Sequence, residues 1–289
     1  MFFELKSQCR ELAPINFDHL PKLSWGDMRL AHDLDYIARL TDKELCRHEI
    51  LKCYETSLEE LTLKKDNRAL EQMPQDVLNQ CRGTYHSALY ALENECSFFL
   101  GGGMHHAMSF AGRGFCLLND VVVCARKLQQ DHKVKKVLII DVDAHKGDGS
   151  AQICQHDQSI YTLSLHMKNS WPIDGSLGSG PWDIPSDRDI EFEANEENNY
   201  CEKLKQALAN LNGENFDFTF VVLGADVWEF DQLPSTQSMK LSLEQILERD
   251  QIIENYLSKQ KIPRTYVMGG GYGERAYEPY VNFIKKLID

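Results

Sequence analysis

Two adjacent histidines, His105 and His106, lie in Gly101-Gly-Gly-Met-His-His-Ala107, followed by Gly112-Arg-Gly-Phe-Cys-Leu-Leu-Asn119. Imidazoles side by side among flexible glycines suit paired proton handling, because histidine titrates nearest neutral pH. A lone histidine is more often a packed or surface residue, and the pair shifts those odds. A second cluster, Asp141-Val-Asp-Ala-His-Lys-Gly-Asp148, ends an apolar run in carboxylates and an imidazole. Such groups are costly to bury unless they are paired or bound to a metal. If the strand continues, alternation puts Asp141, Asp143 and His145 on one side. One Asp or one His alone would read as an ordinary polar loop with a helix cap. Aspartate oxygen and histidine nitrogen are normal zinc ligands, and a catalytic zinc takes three protein ligands with a position left for water. Asp226, at the end of Val221-Val-Leu-Gly-Ala225, completes an Asp-His-Asp set. Asp141 and Asp148 are then the unassigned acids available to the histidines. Tyr272 closes Gly269-Gly-Gly-Tyr, where glycines admit close backbone approach and the hydroxyl is a donor for a carbonyl oxygen. A phosphate loop is disfavoured there, since no Gly-Lys-Ser/Thr follows.

These residues need elements to position them. Short β-branched runs at Lys136–Asp141, Ser159–Leu165, Phe218–Leu223 and Thr265–Met268 read as buried strands. Helical stretches cover Leu118–Gln130, Glu196–Asn212, Leu241–Lys259 and Arg275–Leu287, and a run of amphipathic helices fills Asp42 to about Asn94. Strands alternating with helices imply crossovers and a mostly parallel sheet covered on both faces. Ligands then bind beyond the carboxyl ends of the strands, where the polar residues stand. Asn169–Asp189, rich in Gly, Pro, Ser and Asp and holding Trp171 and Trp182, reads as a long loop bordering the site.

With 289 residues, 43% of them hydrophobic and 26% charged, the chain is expected to form one α/β domain over residues 1–289. No apolar run reaches the roughly 20 residues of a membrane helix. The opening Met1-Phe-Phe-Glu-Leu-Lys6 lacks the apolar core of a signal peptide, so a cytoplasmic location is expected, or a nuclear one in a eukaryote. Nine cysteines, from Cys9 to Cys201 and without a C-x-x-C pair, fit reduced thiols rather than disulfides or a thiolate zinc site. A net charge of −13 disfavours direct nucleic-acid binding and favours a cationic substrate, although acids also serve solubility.

Gly103-Met-His-His106, Gly114-Phe-Cys116, Asn119-Asp120, Asp141-Val-Asp-Ala-His145, Ser164-Leu-His166, Leu223-Gly-Ala-Asp226 and Gly269-Gly-Gly-Tyr272 together resemble the zinc-dependent histone deacetylase family. The resemblance spans about residues 85 to 289 and is closest to the class IV branch and its bacterial relatives. It implies a three-layer α/β/α arginase-deacetylase fold and a lysine deacylase acting on acylated lysine of a protein or peptide. Zinc is implied on Asp143, His145 and Asp226, with His105 paired to Asp141 and His106 to Asp148. A structural potassium is implied at Asp141, Ser164 and the carbonyls of Asp143, His145 and Leu165. Gly114, Phe115 and Trp171 are implied in the substrate channel. His106 is then read as general base and acid, His105 as charge stabiliser and Tyr272 as oxyanion donor. Two departures stand out: Lys146 replaces the usual His or Gln, and the family's opening strand and His-Pro segment are not visible in the first 40 residues.

Other readings remain: an acetylpolyamine or other small acyl-amine hydrolase, a non-enzymatic acyl-lysine binder, and an arginase-like enzyme with two manganese ions. The last needs a further bridging carboxylate where the chain has Gly147.

Overall fold

In a computed structural model of the chain, residues 22–63 and 70–288 are described. The opening Met1-to-Lys6 segment and Cys9 lie outside them. Six strands form one sheet: β1 Cys96–Phe98, β2 Val137–Asp141, β3 Ile160–Met167, β4 Arg188–Phe192, β5 Phe218–Val222 and β6 Arg264–Val267. Their spatial order is β1-β6-β5-β2-β3-β4, and every pairing is parallel.

Among the described residues the helices are α1 Leu34–Thr41, α2 Leu45–Cys53, α3 Leu58–Leu63, α4 Met73–Asn94, α5 Asp120–Gln130, α6 Asp148–Cys154, α7 Tyr200–Ala209, α8 Leu243–Lys259 and α9 Glu278–Ile288. The continuous apolar run of β2 fits its central place, because alternate side chains serve two cores. Val137 and Ile139 pack with Leu78, Tyr85, Val121 and Leu128 of α4 and α5. Leu138 and Ile140 pack with Leu204, Leu208, Ile246 and Ile253 of α7 and α8. The result is the expected three-layer α/β/α arrangement.

Two helix starts are set by side-chain caps. Asn119 Oδ1 accepts from Val122 N at 3.0 Å and opens α5 two residues later than the pattern suggests. Ser242 Oγ accepts from Gln245 N at 3.2 Å while Gln245 Oε1 accepts from Ser242 N at 2.9 Å, a reciprocal cap opening α8. The two strands absent from the sequence expectation, β1 and β4, are both edges. The short run of β1 directly follows a helix, and Arg-Asp-Ile-Glu-Phe of β4 is too charged to read as buried.

Candidate active site

Asp141 ends β2, in register with Ser164 of β3 and Val222 of β5. Beyond it the chain folds back through its own carboxylates. Asp143 N donates to Asp141 Oδ1 at 3.1 Å and His145 N to Asp143 Oδ1 at 2.9 Å. Ala144 N donates to Asp226 Oδ1 at 3.0 Å, and Gly270 N to Asp143 Oδ2 at 2.7 Å. The loops after β2, β5 and β6 are thus laced together. Glycine is required at two crossings: a Cβ on Gly270 would meet Asp226 Oδ2 at 2.6 Å, and one on Gly224, at φ +54°, would meet Asp143 Cα at 2.5 Å.

His145 Nδ1 lies 3.3 Å from Asp143 Oδ1 and 3.1 Å from Asp226 Oδ2, while its Nε2 lies 2.9 Å from Ser235 Oγ. Asp143, His145 and Asp226 each offer a ligand atom within 4.8 Å of the others, and all three are buried. Burial, reinforced by the Asp143 charge, pushes the Asp226 carboxyl up to about 7. Burial draws His145 down, but the two carboxylates outweigh it and raise the imidazole to about 9. In Asp143 the upward effect of burial is overcome by His105 and His145, which hold it well below the usual range. One imidazole facing two buried carboxylates is a donor set suited to a divalent cation.

Behind this trio stand the two His-Asp pairs. His105 Nδ1 is 2.6 Å from Asp141 Oδ2, and His106 Nδ1 is 2.6 Å from Asp148 Oδ1. Their ring centroids are 3.9 Å apart, yet their protonation diverges. Burial lowers both, but Asp141 and Asp143 lift His105 to about 10. Burial and the His105 charge bring His106 down to about 4. The two neighbouring imidazoles are thus pushed in opposite directions.

The supports of the histidine loop are largely residues that sequence reasoning missed or left without a role. Asp120 accepts from Gly103 N at 3.1 Å and Met104 N at 2.8 Å. Asn119 Nδ2 donates to Ala107 O at 3.2 Å and Ser150 Oγ at 3.0 Å. His32 joins the segment before α1 to this loop: its Nε2 accepts from Asn119 N, and its Nδ1 faces Met108 O, both at 2.9 Å. Those two contacts fix the neutral Nδ1-H tautomer.

A cavity of about 200 Å³ leads to the trio. Gly114, Phe115 and Trp171 line it, together with His106, His145 and Tyr272. Glu55, Leu233 and Ser235 line it as well, and nothing in their local sequence marks them. A second cavity of about 130 Å³ shares His106, Phe115 and Tyr272 and reaches Met104 and Cys116. Asp231 Oδ2 accepts from Tyr272 N at 2.6 Å and so fixes that loop. Burial, then the charges of Asp143 and Asp226, raise the Tyr272 hydroxyl above its ordinary range, so it remains a donor. A polar groove of about 700 Å³ near Arg29, Gln155 and His156 holds none of the paired residues.

Ser164 Oγ sits 2.9 Å from His166 Nδ1, with Leu165 next to it on β3. Lys146 is buried, with Nζ 3.7 Å from Asp189 Oδ2 of β4. Arg249 of α8 is buried too: its Nη1 donates to Val142 O and Gly224 O, both at 3.0 Å, and its Nε to Asp250 Oδ1 at 2.7 Å.

A parallel six-strand sheet with a carboxylate-imidazole cluster beyond its carboxyl ends defines an α/β protein with a candidate metal centre. Two solved structures share the fold. The HD domain of HDA15 has a TM-score of 0.75 at 19% identity, covering 100% of this chain and 79% of that one. An HDAC homolog complexed with SAHA has a TM-score of 0.66 at 21% identity, covering 91% and 68%. The chain belongs to the histone deacetylase domain family, whose model matches residues 6–286. It is 29% identical over 205 residues to an uncharacterized protein of Picosynechococcus sp., covering 71% of this chain and 65% of that protein. It is 27% identical over 211 residues to Histone deacetylase 2 of Arabidopsis thaliana, covering 72% and 52%. The chain therefore matches about two thirds and half the length of these relatives.

Proposed function

We propose that the chain is a zinc-dependent amidohydrolase that removes acetyl or longer acyl groups from lysine side chains of proteins. The observation that carries this reading is the convergence, beside a cavity lined by His106, His145 and Tyr272, of a buried Asp-His-Asp trio and two buried His-Asp pairs. Asp143, His145 and Asp226 would hold the zinc. A zinc ion there supplies Lewis-acid activation of an amide carbonyl and of water. Gly147 supports one ion rather than two: a Cβ there would lie 2.3 Å from Asp141 Oδ2, leaving no room for a further bridging carboxylate.

The chain's own groups supply the remaining roles. Neutral His106, oriented through Nδ1 by Asp148, takes a proton from the attacking water at Nε2 and returns it to the leaving amine. His105, held cationic by Asp141 and Asp143, stabilises negative charge that develops beside it. The Tyr272 hydroxyl donates to the oxyanion. Phe115 and Trp171 flank the aliphatic stem of the acyl-lysine and exclude water. Ser235 donates no ligand but orients His145 through Nε2.

A structural potassium at Asp141, Ser164 and the carbonyls of Asp143, His145 and Leu165 belongs to the same reading. In its support, the Asp143 and His145 carbonyls accept no hydrogen bond among the described residues. A melting temperature raised by KCl but not by equal NaCl is the expected sign.

The test of function is a panel of lysine peptides carrying acetyl to long-chain acyl groups, plus acetylated polyamines, with Asp143→Ala as control. Acid release from the peptides, abolished in the control and matched to one zinc per chain, is expected. Turnover of polyamines alone would move the substrate to small acyl-amines. Reversible peptide binding without release would make the protein a binder.

A further inference from the structure

Asp148 orients His106 through Oδ1, and its other oxygen, Oδ2, makes no hydrogen bond within the described residues. What faces Oδ2 is the guanidinium of Arg113, with Nη1 at 3.1 Å. The same guanidinium lies between two indoles, its Cζ 4.9 Å from the ring centroid of Trp171 and 4.9 Å from that of Trp182. Both tryptophans belong to the long loop between β3 and β4, and Trp171 stands edge-on over His106 at 4.7 Å. The neighbouring Gly114 leaves the space this packing needs: a Cβ there would meet Trp171 at 2.5 Å and His106 at 2.7 Å. The loop's other polar anchors near the tryptophans are slight. Ser170 Oγ donates to Ser235 O at 3.1 Å, and Trp182 Nε1 donates within the loop to Gly178 O.

We propose that Arg113 is a positioning residue that fastens the Trp171-Trp182 loop over the channel and, through Asp148, ties that wall to the base His106. The proposal rests on the reading of His106 as the base only for its kinetic half; the fastening of the loop stands on geometry alone. A flat guanidinium can stack on both indoles while its edge meets a carboxylate, whereas an ammonium can meet the carboxylate but cannot stack in that way. Arginine at 113 therefore does two separable jobs.

The test compares Arg113→Met, Arg113→Lys and Trp182→Leu with the zinc-loaded wild type, after circular dichroism confirms folding. Loop opening is read by the rate of chymotryptic cleavage at Leu177, the site shared by wild type and all three variants, and by acrylamide quenching of tryptophan. Loss of the stack raises the open population, and with it the cleavage rate, by about tenfold in all three variants. On an acyl-lysine peptide, Arg113→Met raises KM and lowers kcat, Arg113→Lys recovers most of kcat but not KM, and Trp182→Leu raises KM alone. If Arg113→Met does not fold, the lysine and leucine variants carry the comparison.

Cleavage and quenching like the wild type in Arg113→Met, or in Arg113→Lys and Trp182→Leu, would overturn the proposal. Equal loss of kcat in the lysine and methionine variants would overturn the tie to His106. Faster cleavage in a protein that turns over no acylated amine would uphold the fastening while the hydrolase reading fails.

Discussion

In the proposed reaction, Tyr272 is the residue at which geometry and electrostatics most directly bear on rate. It lines both cavities, its backbone is fixed by Asp231, and its hydroxyl is kept protonated by burial and by two neighbouring carboxylates. A donor aimed at developing charge is worth about 100- to 1,000-fold in rate. Tyr272→Phe is therefore expected to lower kcat by about that factor while zinc content, read by atomic absorption, stays at the wild-type level. Near-normal turnover would remove the hydroxyl from the chemistry. A different residue, His32, is expected to contribute to the pH dependence of stability. Burial lowers His32 from 6.5 to about 4, opposed only weakly by its backbone partners. Between those values the unfolded chain binds the proton and the folded chain does not, so stability is present above pH 6.5 and falls as pH drops towards 4. The difference corresponds to about 3 kcal/mol. Urea unfolding of metal-free protein at several pH values should show a steeper acid loss in wild type than in His32→Gln. Equal slopes would exclude His32 as the source.

At the scale of elements, the centre is a meeting of strand ends, and one buried helix residue holds two of them. Arg249 reaches from α8 to the carbonyls of Val142 and Gly224, the first just before Asp143 and the second two residues before Asp226. Arg249→Met leaves both carbonyls and Asp250 uncompensated, at a cost of about 3 kcal/mol or more. It should also weaken zinc binding by about 10- to 100-fold, as loss of an outer-shell support does. Competition with a chromogenic chelator measures this, and unchanged affinity would reduce Arg249 to a stabilising role.

The same elements explain what the sequence could and could not tell. β2, β3, β5 and β6 were readable because central parallel strands are apolar on both faces, and their polar last residues stood out against that background. The Asp143-His145-Asp226 trio was legible for that reason, and the His105-His106 pair as adjacent imidazoles among glycines. Arg249, His32 and Ser235 were not, because each acts through a distant backbone group or a ring nitrogen at a separation that no local pattern encodes. Trp171 was legible as part of a loop bordering the site, but the guanidinium beneath it was not.

Taken as a whole molecule, the described chain puts its chemistry at one end of the sheet and its two cores on either face. Asp143, His145, Asp226 and Tyr272 belong to loops springing from β2, β5 and β6, strands hydrogen-bonded on both sides, while the His105-His106 loop follows the edge strand β1. The channel walls come from separate excursions: the turn after α2 at Glu55, the turn around Phe115, the loop carrying Trp171 and the segment around Leu233 and Ser235. Inheritance can act differently on these two parts. Exchanging one excursion for another of different length would change what is admitted and leave the proposed catalytic frame in place. New substrate preferences can then arise in a lineage without the catalytic frame ever having to be invented again.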